Sequence, residues 1–501
     1  MRRSPSLPMP GSNWLKALLR PAYRCRNPAS AWHWIRFPPL RRLWHRCVFA
    51  AADLLRLWKS PAPAGRYKAL EELRWLYHSR RPVLRAESGS GLAELFRRQR
   101  ADRGRLLPQG FQVEERRWVS AVGDLLPARG LAASQDRLYD RIAPRLFGAD
   151  LSIANFEAVL TRKRLDARIT GLHEPIRMTV SPAELRALTR HRRQRFSILH
   201  TANNHVLDLG IEGFDRTHDH LEAEGFLTLG THREARDAGR GLIVQAGGIR
   251  LGLVAAVYGL NAELPKEEAY RVDLEPLHAP PSRRGCRGLH RQMEWCRRSG
   301  CDLILASLHW GHEFELYPRA RQVALARRLA EAGADVILSH HSHMLQPWEL
   351  YPVRRDPGRR VPIFYGLGNL VSLFSAPYNA LSGVLRLGIV RGRQGRAART
   401  LVASAEISPV LQVESQGGEP RFLRLELLHD LLSQPLHPPA RTYVEEAARH
   451  ADRALGPGWR RSGRLQIGDD PREARGRSPG PAGASRGSCA EPPVACQARP
   501  R

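Results

Sequence analysis

The chain has 501 residues, a hydrophobic content of 42% and a formal net charge of +30 at pH 7. This length and apolar content exclude a wholly disordered chain and are sufficient for at least one large hydrophobic core. The positive charge is not accompanied by any of the usual nucleic-acid-binding motifs, such as RNP aromatics or paired Cys/His fingers. Nucleic acid is therefore not the expected partner.

Cysteine usage and hydropathy predict the compartment. The seven cysteines form no C-x-x-C pair, and their odd number argues against a complete disulfide framework. No apolar segment follows the basic N-terminus as in a signal peptide, and no run of eighteen apolar residues occurs. The sequence therefore predicts a cytoplasmic protein that is at most peripheral to a membrane.

Residues 1–116 form a basic extension rich in tryptophan and arginine. Within it, residues 40–59 place apolar and Trp side chains at helical spacing opposite several arginines, which predicts a basic amphipathic helix. Two interpretations remain open for this helix: packing against the following domain, or contact with an anionic membrane surface. The extension is predicted to be mostly helical.

Residues 117–409 alternate short apolar runs with amphipathic stretches, which is typical of β-α units. One helix is predicted at Gly213–Glu224, and another at Arg319–Ala332, because Pro318 precedes it and Gly333 follows it. The predicted strands are Trp118–Val122, Leu151–Ala154, Phe196–His200, Leu251–Val257, Leu303–Leu308, Val336–Leu338, Ile363–Tyr365 and Val384–Val390.

Beyond this domain the pattern is weaker. Residues 410–459 are predicted to form an extension with a strand at Phe422–Leu427 and a helix at Tyr443–Leu455. Residues 460–501 are rich in Gly, Pro, Arg and Ser, and they are predicted to be a disordered tail because they cannot bury enough apolar surface.

Polar clusters follow the predicted strands, and in an open α/β sheet the side chains at the carboxyl ends of strands converge on one crevice. Oxygen and imidazole ligands together suit Mn, Fe or Zn better than Ca or Mg. A structural zinc site would contain cysteine ligands, and the clusters contain none. The sequence therefore predicts a site for one or two divalent transition-metal ions. The clusters are Gly123-Asp124, Asn155-Phe156-Glu157, Ala202-Asn203-Asn204-His205 with Asp208, His309-Trp310-Gly311, His340-His341-Ser342-His343 with Gln346, and Gly366-Leu367-Gly368-Asn369.

The order of these clusters resembles the CapA family of poly-γ-glutamate capsule proteins and, more distantly, the calcineurin-like metallophosphoesterases. The matching segments read G-D, N-F-E, A-N-N-H-x-x-D-x-G, H-W-G-x-E, H-H-x-H-x-x-Q-P-x-E and Y-x-L-G-N-L. The combination of these segments is specific. The resemblance implies an α/β fold of the metallophosphatase-like type, a four-layer αββα sandwich.

The resemblance also implies roles for individual residues. His205 is similar to the catalytic imidazole of phosphoesterases, and Asp208 would either orient its ring or cap the turn before Ile211. The implied metal ligands are Asp124, Asn204, His309, His340 and His343. The implied substrate-binding residues are Asn155, Glu157, Asn203, Glu313 and Asn369.

Two departures from the pattern leave alternatives open. The first strand ends in Gly123-Asp124 and lacks the D-x-H that opens many phosphoesterases, so either one ion or two is compatible with the sequence. His341 also competes with His340 for the ligand role, because the two histidines are adjacent.

The resemblance implies a metal-dependent hydrolase of capsule, poly-γ-glutamate or related envelope polymer biosynthesis. Its substrate would be an anionic polymer or a phosphoester, and its partners would be other envelope-biosynthesis enzymes. A non-catalytic, polymer-binding assembly factor is the first alternative: His205 beside Asn204 favours catalysis, whereas the missing D-x-H favours binding. A soluble metallophosphodiesterase is the second alternative, although no nucleotide-specific motif supports it.

Overall fold

The computed structural model describes residues 78–101, 104–161, 177–279, 285–356, 358–415 and 421–468. The predicted amphipathic helix at residues 40–59 lies outside these ranges, as does the chain beyond residue 468. No helix within the described ranges combines the length and the apolar character needed to cross a bilayer.

The described chain forms two large β-sheets and two short strand pairs. The strands are β1 (Gln112–Leu125), β2 (Leu151–Phe156), β3 (Val159–Leu160), β4 (Thr179–Val180), β5 (Arg190–His191), β6 (Gln194–Arg195), β7 (Ile198–His200), β8 (Leu227–Leu229), β9 (Leu242–Ala246), β10 (Ile249–Val257), β11 (Leu303–His309), β12 (Val336–His340), β13 (Trp348–Pro352), β14 (Arg360–Phe364), β15 (Asn369–Val371), β16 (Leu381–Gln394), β17 (Ala397–Glu414), β18 (Leu423–Leu427) and β19 (Leu465–Gly468). The larger sheet has the order β18-β17-β16-β1-β2-β7-β8, with β15 also paired to β1 and β19 to β17. The smaller sheet has the order β13-β14-β12-β11-β10-β9.

The two sheets pack face to face, and helices cover their outer faces. Val119 and Ile153 of the larger sheet share one buried cluster with Leu251 and Leu305 of the smaller sheet. The α-helices are α1 (Leu92–Ala101), α2 (Ala143–Leu146), α3 (Pro182–Thr189), α4 (Gly210–Ala223), α5 (Arg287–Arg298), α6 (Ala320–Glu331), α7 (Leu428–Leu432) and α8 (Pro438–Leu455). Helices α2, α3 and α4 pack on the outer face of the larger sheet, and α1, α5 and α6 on that of the smaller sheet. The predicted four-layer αββα sandwich is therefore confirmed.

Local signals account for most of the elements. Each predicted strand overlaps an observed strand, and the two predicted helices of the central domain correspond to α4 and α6. Helix α6 begins where the Gln322 side chain accepts a hydrogen bond from the Arg319 N–H at 2.9 Å, and it ends before Gly333, whose φ is +108°. The sequence pattern does not predict strand β17, because its Ala and Ser residues and Pro409 are weak strand signals.

The C-terminal region completes the larger sheet. Strand β17 runs through Pro409, so the predicted domain boundary at residue 409 lies inside a strand, and both β18 and β19 pair with β17. The predicted disorder is wrong at residues 460–468, because Leu465 and Ile467 of β19 are buried in the core between the sheets. Burial of each such side chain contributes roughly 1.5–3 kcal/mol.

We propose that the folded unit extends to about residue 468, and we expect limited proteolysis to leave a fragment that ends near this position. The sheet pairing of β18 and β19 protects their backbone, whereas a cut near residue 409 would have to break β17. Intact-mass analysis after partial trypsin digestion measures the fragment ends. A stable fragment that ends at residue 409 would contradict this boundary.

Candidate metal centre

The carboxyl ends of parallel strands from both sheets meet at one place. In the larger sheet, Asp124 at the end of β1 lies in register with Asn155 of β2 on one side and Asn369 of β15 on the other. In the smaller sheet, His309 and His340 lie in register at the ends of β11 and β12. Ligand-type side chains far apart in sequence are thereby brought to one crevice.

Two glycines allow the backbone to approach closely at this place. A Cβ atom at Gly123 would overlap the carbonyl oxygen of Gly368. That carbonyl accepts a hydrogen bond from the Asp124 N–H at 3.0 Å, and Gly368 has a φ of +74°, which glycine adopts without strain. The glycines in the first and last clusters therefore bring Asp124 beside Asn369.

Asp124 is a buried carboxylate in contact with two imidazoles. Its Oδ1 lies 3.3 Å from His340 Nδ1, and its Oδ2 lies 3.3 Å from His343 Nδ1. Asn155 Nδ2 donates a hydrogen bond to Oδ1 at 2.8 Å. Burial by itself raises the pKa of Asp124, but the contacts with His340 and His343 outweigh burial and hold this pKa well below its usual range. Asp124 therefore carries the negative charge that a cation requires.

Glu157 lies at the centre of the site. Its Oε1 atom is 3.8 Å from His309 Nε2 and 4.0 Å from both His205 Nε2 and His343 Nε2, and it accepts no hydrogen bond. Burial, and then the charge of Asp124, raise the pKa of Glu157 to about 8. A buried carboxyl oxygen without a partner among imidazole nitrogens fits a bound cation, which would offset the cost of burying the charge.

The loop after β12 is strained where it carries its histidines. His341 and His343 have φ values of 86° and 55°, in the left-handed region that non-glycine residues rarely adopt. This conformation places the His341 ring 4.8 Å from the His309 ring, between centroids, and places His343 against Asp124. Strain of this kind at ligand-type residues supports a functional role for the loop.

His309 and His341 are neutral imidazoles. Burial lowers the pKa of His341 to about 3, and burial together with the neighbouring His341 holds the pKa of His309 well below its usual value. His309 Nε2 lies 2.7 Å from Asn204 Oδ1, and Asn155 Nδ2 lies 3.3 Å from His309 Nδ1. Neutral imidazole is the form that binds metal ions.

Two overlapping sets of ligand atoms result from this packing. One set is Glu157, His309 and His341, and the other is Asp124, Glu157 and His343. In each set, one ligand atom per residue lies within 4.8 Å of the others. Because Glu157 belongs to both sets, the groups are compatible with divalent metal binding at one position or at two neighbouring positions.

Unpaired buried atoms test whether these side chains fit a metal ion. The buried atoms without a hydrogen-bond partner include Asn155 Oδ1, Glu157 Oε1, His340 Nε2 and His341 Nδ1. Each unsatisfied buried polar group costs roughly 1–3 kcal/mol, so four at one place need a common explanation. A cation bound among them provides one, and the donor set is compatible with a divalent metal ion.

The predicted ligands are brought together, and the geometry adds two residues to them. Asp124, His309 and His343 belong to the sets above, and His340 lies beside Asp124. Asn204 reaches the site with its Oδ1 atom 2.7 Å from His309 Nε2. The added residues are Glu157, which the sequence assigned to substrate binding, and His341, whose ligand role the sequence left open.

His200 is a buried neighbour of the site that the sequence did not single out. Its Nε2 donates to the Ala202 carbonyl at 3.0 Å, and its Nδ1 accepts from the Ser307 hydroxyl at 2.7 Å. Its ring packs edge-on against His340, with centroids 5.5 Å apart. Because both ring nitrogens are occupied, His200 supports the site. Its place as the last residue of a predicted strand was the available signal.

His205 and Asp208 form a pair beside the ligand sets. His205 Nδ1 donates to Asp208 Oδ2 at 2.8 Å, and the same carboxylate oxygen accepts the Met178 N–H at 2.5 Å. Burial alone would lower the pKa of His205, but the charge of Asp208 outweighs it and the pKa is raised. Since Nδ1 is bonded to Asp208, Nε2 is the nitrogen that faces Glu157, and this arrangement fits a proton donor.

The predicted substrate-binding residues differ in what they contact. Asn203 Nδ2 donates to the Phe156 carbonyl at 2.8 Å, and Asn203 Oδ1 accepts the His205 N–H at 3.1 Å, so this side chain holds the turn. Asn369 Oδ1 accepts a hydrogen bond from His343 Nδ1 at 2.8 Å. Glu313 is 21% exposed, and its Oε1 lies 3.3 Å from His343 Nε2. Their role in substrate binding stays a prediction.

The residues that build this site fall within a known family pattern. The sequence model of the family described as "Bacterial capsule synthesis protein PGA_cap" matches residues 118–373, just over half of the chain. The chain belongs to the bacterial capsule synthesis protein family. The match begins in β1 and ends after β15, so it includes every residue of the two ligand sets. The resemblance to CapA proteins is therefore confirmed.

Relatives of this chain carry related names. The PGA biosynthesis protein CapA of Bacillus subtilis (strain 168) is 26% identical over 259 residues, 50% of this chain and 62% of the relative. The capsule biosynthesis protein CapA of Bacillus anthracis is 25% identical over 276 residues, 53% and 62% of the two chains. The "Probable polyglutamine synthesis accessory protein Rv0574c" of Mycobacterium tuberculosis (strain ATCC 25618 / H37Rv) is 29% identical over 225 residues, 44% and 55%. The chain thus matches less than two thirds of each relative's length.

Proposed function

We propose that this family member is a metal-dependent, hydrolase-type enzyme of capsule or polyglutamate synthesis, acting on a phosphoester or on an anionic envelope polymer. The observation that carries the proposal is the meeting of the two ligand sets with the His205–Asp208 pair in one crevice. The names of the two Bacillus relatives refer to PGA and capsule biosynthesis, which supports an anionic polymer such as poly-γ-glutamate as the substrate class.

The ligand residues and the proton donor would have separate tasks. A divalent ion held by the two ligand sets would supply Lewis acidity towards a phosphoryl or acyl oxygen. His205, held by Asp208, would give its Nε2 proton to the leaving group. Asn369 fixes the orientation of His343 through the hydrogen bond at Nδ1, as outer partners of metal ligands do, and Asn204 would offer a ligand oxygen beside His309 Nε2.

A non-catalytic assembly factor on the same fold is the second candidate. The absence of D-x-H at the end of β1, where only Asp124 is present, favours it. Such a protein would hold an anionic polymer in the same crevice while a partner enzyme performs the chemistry. No observation favours the soluble metallophosphodiesterase, because the family and the relatives carry the names of capsule and PGA biosynthesis proteins.

Metal restoration followed by activity measurement tests the proposal. The full chain is stripped with a chelator, reloaded singly with Mn, Fe or Zn, and assayed against a phosphoester panel and against poly-γ-glutamate. We expect hydrolysis only with a restored metal, and we expect His205→Ala to reduce it at least about a hundredfold. Metal-dependent binding of poly-γ-glutamate without turnover of any substrate would instead support the assembly factor.

A further inference from the structure

The C-terminus of α5 brings two cysteines together. The Cys301 N–H donates to the Cys296 carbonyl at 3.0 Å, and the Gly300 N–H donates to the Arg297 carbonyl at 2.9 Å, with Gly300 at a φ of +75°. These two bonds and the left-handed glycine define a Schellman motif, which places the side chains of the residues at Cys296 and Cys301 in contact. In most helices this contact is hydrophobic, whereas here both residues carry thiols.

The neighbouring strand leaves space for both sulfur atoms. A Cβ atom at Gly252 of β10 would lie 2.8 Å from Cys296 Sγ and 3.2 Å from Cys301 Sγ. The two sulfur atoms therefore lie around one point above a residue without a side chain. Both cysteines are free thiols in the described chain.

The two thiols differ in exposure and in acidity. Cys296 is fully buried, whereas Cys301 is partly exposed. The hydrogen bond from one thiol to the other lowers the pKa of Cys301, as does the nearby Arg250, and it raises the pKa of Cys296. A partly exposed thiol that ionises more readily is the nucleophile of such a pair, and the buried thiol is the resolving partner.

We propose that Cys296 and Cys301 form a redox-active dithiol that reacts with low-molecular-weight disulfides and closes to an intramolecular disulfide. First, the Cys301 thiolate attacks one sulfur of the reagent, forms a mixed disulfide and releases the other half as a thiol. The Cys296 thiol then loses its proton and attacks the Cys301 sulfur, which releases the second half as a thiol. Two protein thiols are oxidised, and one reagent disulfide is reduced to two thiols. This site is independent of the metal centre.

Peptide mapping of the full-length chain tests the proposal. The reduced chain is treated under native conditions with oxidised glutathione, alkylated, and digested with trypsin without reductant. Trypsin cleaves after Arg297 and Arg298, between the two cysteines, so the disulfide joins peptide 292–297 to peptide 299–319. We expect this linked pair to exceed any other cysteine pairing at least tenfold, with an unchanged circular dichroism spectrum.

Three variants separate the roles of the thiols. Cys286→Ser, which removes another buried thiol of the same region, is the matched control and should keep the linked pair. Cys296→Ser should leave Cys301 as the glutathione adduct, and Cys301→Ser should leave Cys296 unmodified. The proposal is overturned if Cys301 of the native chain stays reduced, if it keeps the adduct without forming the pair, or if the pair forms only as the circular dichroism signal is lost.

Discussion

Alanine in place of His309 or His343 is expected to lower the affinity of the chain for a divalent transition metal at least tenfold, or about 1.4 kcal/mol. Each residue belongs to a different ligand set, and the two sets share Glu157. Loss of either imidazole therefore removes one donor from its ligand set. Elemental analysis after dialysis against limiting Mn, Fe or Zn measures the occupancy.

His205→Ala is expected to differ from these two variants, because it should lower hydrolysis without lowering metal affinity. Its Nδ1 atom is engaged by Asp208, and it belongs to neither ligand set, so the metal affinity should change little. Hydrolysis should fall by about a hundredfold to ten-thousandfold, because that is the usual contribution of a positioned general acid. The pH profile of the remaining activity should also lose the limb that corresponds to His205.

Exposed His290 on α5 provides the matched control, and His290→Ala should leave both metal occupancy and activity unchanged. Circular dichroism spectra of all variants establish that the fold persists. Full metal occupancy in an Asp124→Ala, His309→Ala double variant would rule out the proposed site. Normal turnover in His205→Ala would remove only the proposed proton transfer.

Glu157→Gln is expected to stabilise the metal-free chain at high pH while abolishing most of the stabilisation by metal. An unfolded carboxyl has a pKa near 4.5, and the folded chain holds the Glu157 proton until about pH 8. Folding therefore takes up a proton between these pH values, so this group lowers the stability of the metal-free chain as the pH rises through that window. Glutamine has no proton to lose, and at pH 9 the variant should be more stable by on the order of several kcal/mol, since each unit of pKa difference contributes about 1.4 kcal/mol.

Thermal unfolding at pH 6 and pH 9, with chelator or with added Mn, measures both effects. With chelator, the stability gain of the variant over the wild type should be larger at pH 9 than at pH 6, because pH 6 lies inside the window between the two pKa values. The variant should gain little stability from Mn at either pH. Glu349→Gln is the control, because Glu349 is also buried but is paired with Arg327 at 2.6 Å, so its loss should destabilise the chain at both pH values. Equal stabilisation of wild type and Glu157→Gln by Mn would contradict a ligand role for Glu157.

The sequence by itself determined the layered α/β architecture and the position of the site along the chain. Apolar periodicity is a local property, so strands such as β11, in which every residue is buried, are visible without the fold. The clusters after the strands are also local, and the parallel arrangement of the strands then implies that Asp124, His309 and His340 converge. The same reasoning failed for β17, whose small residues pack well only between β16 and β18.

Only the tertiary structure decided how the site is assembled and charged. Adjacent His340 and His341 cannot be distinguished in sequence, and the left-handed backbone at His341 is what turns its ring towards His309. Glu157 becomes central because atoms from both sheets surround it, and its proton affinity depends on burial and on the nearby charge of Asp124. Distances across two sheets and the loss of water around a carboxyl group arise only when the sheets pack, so residue order alone does not contain them.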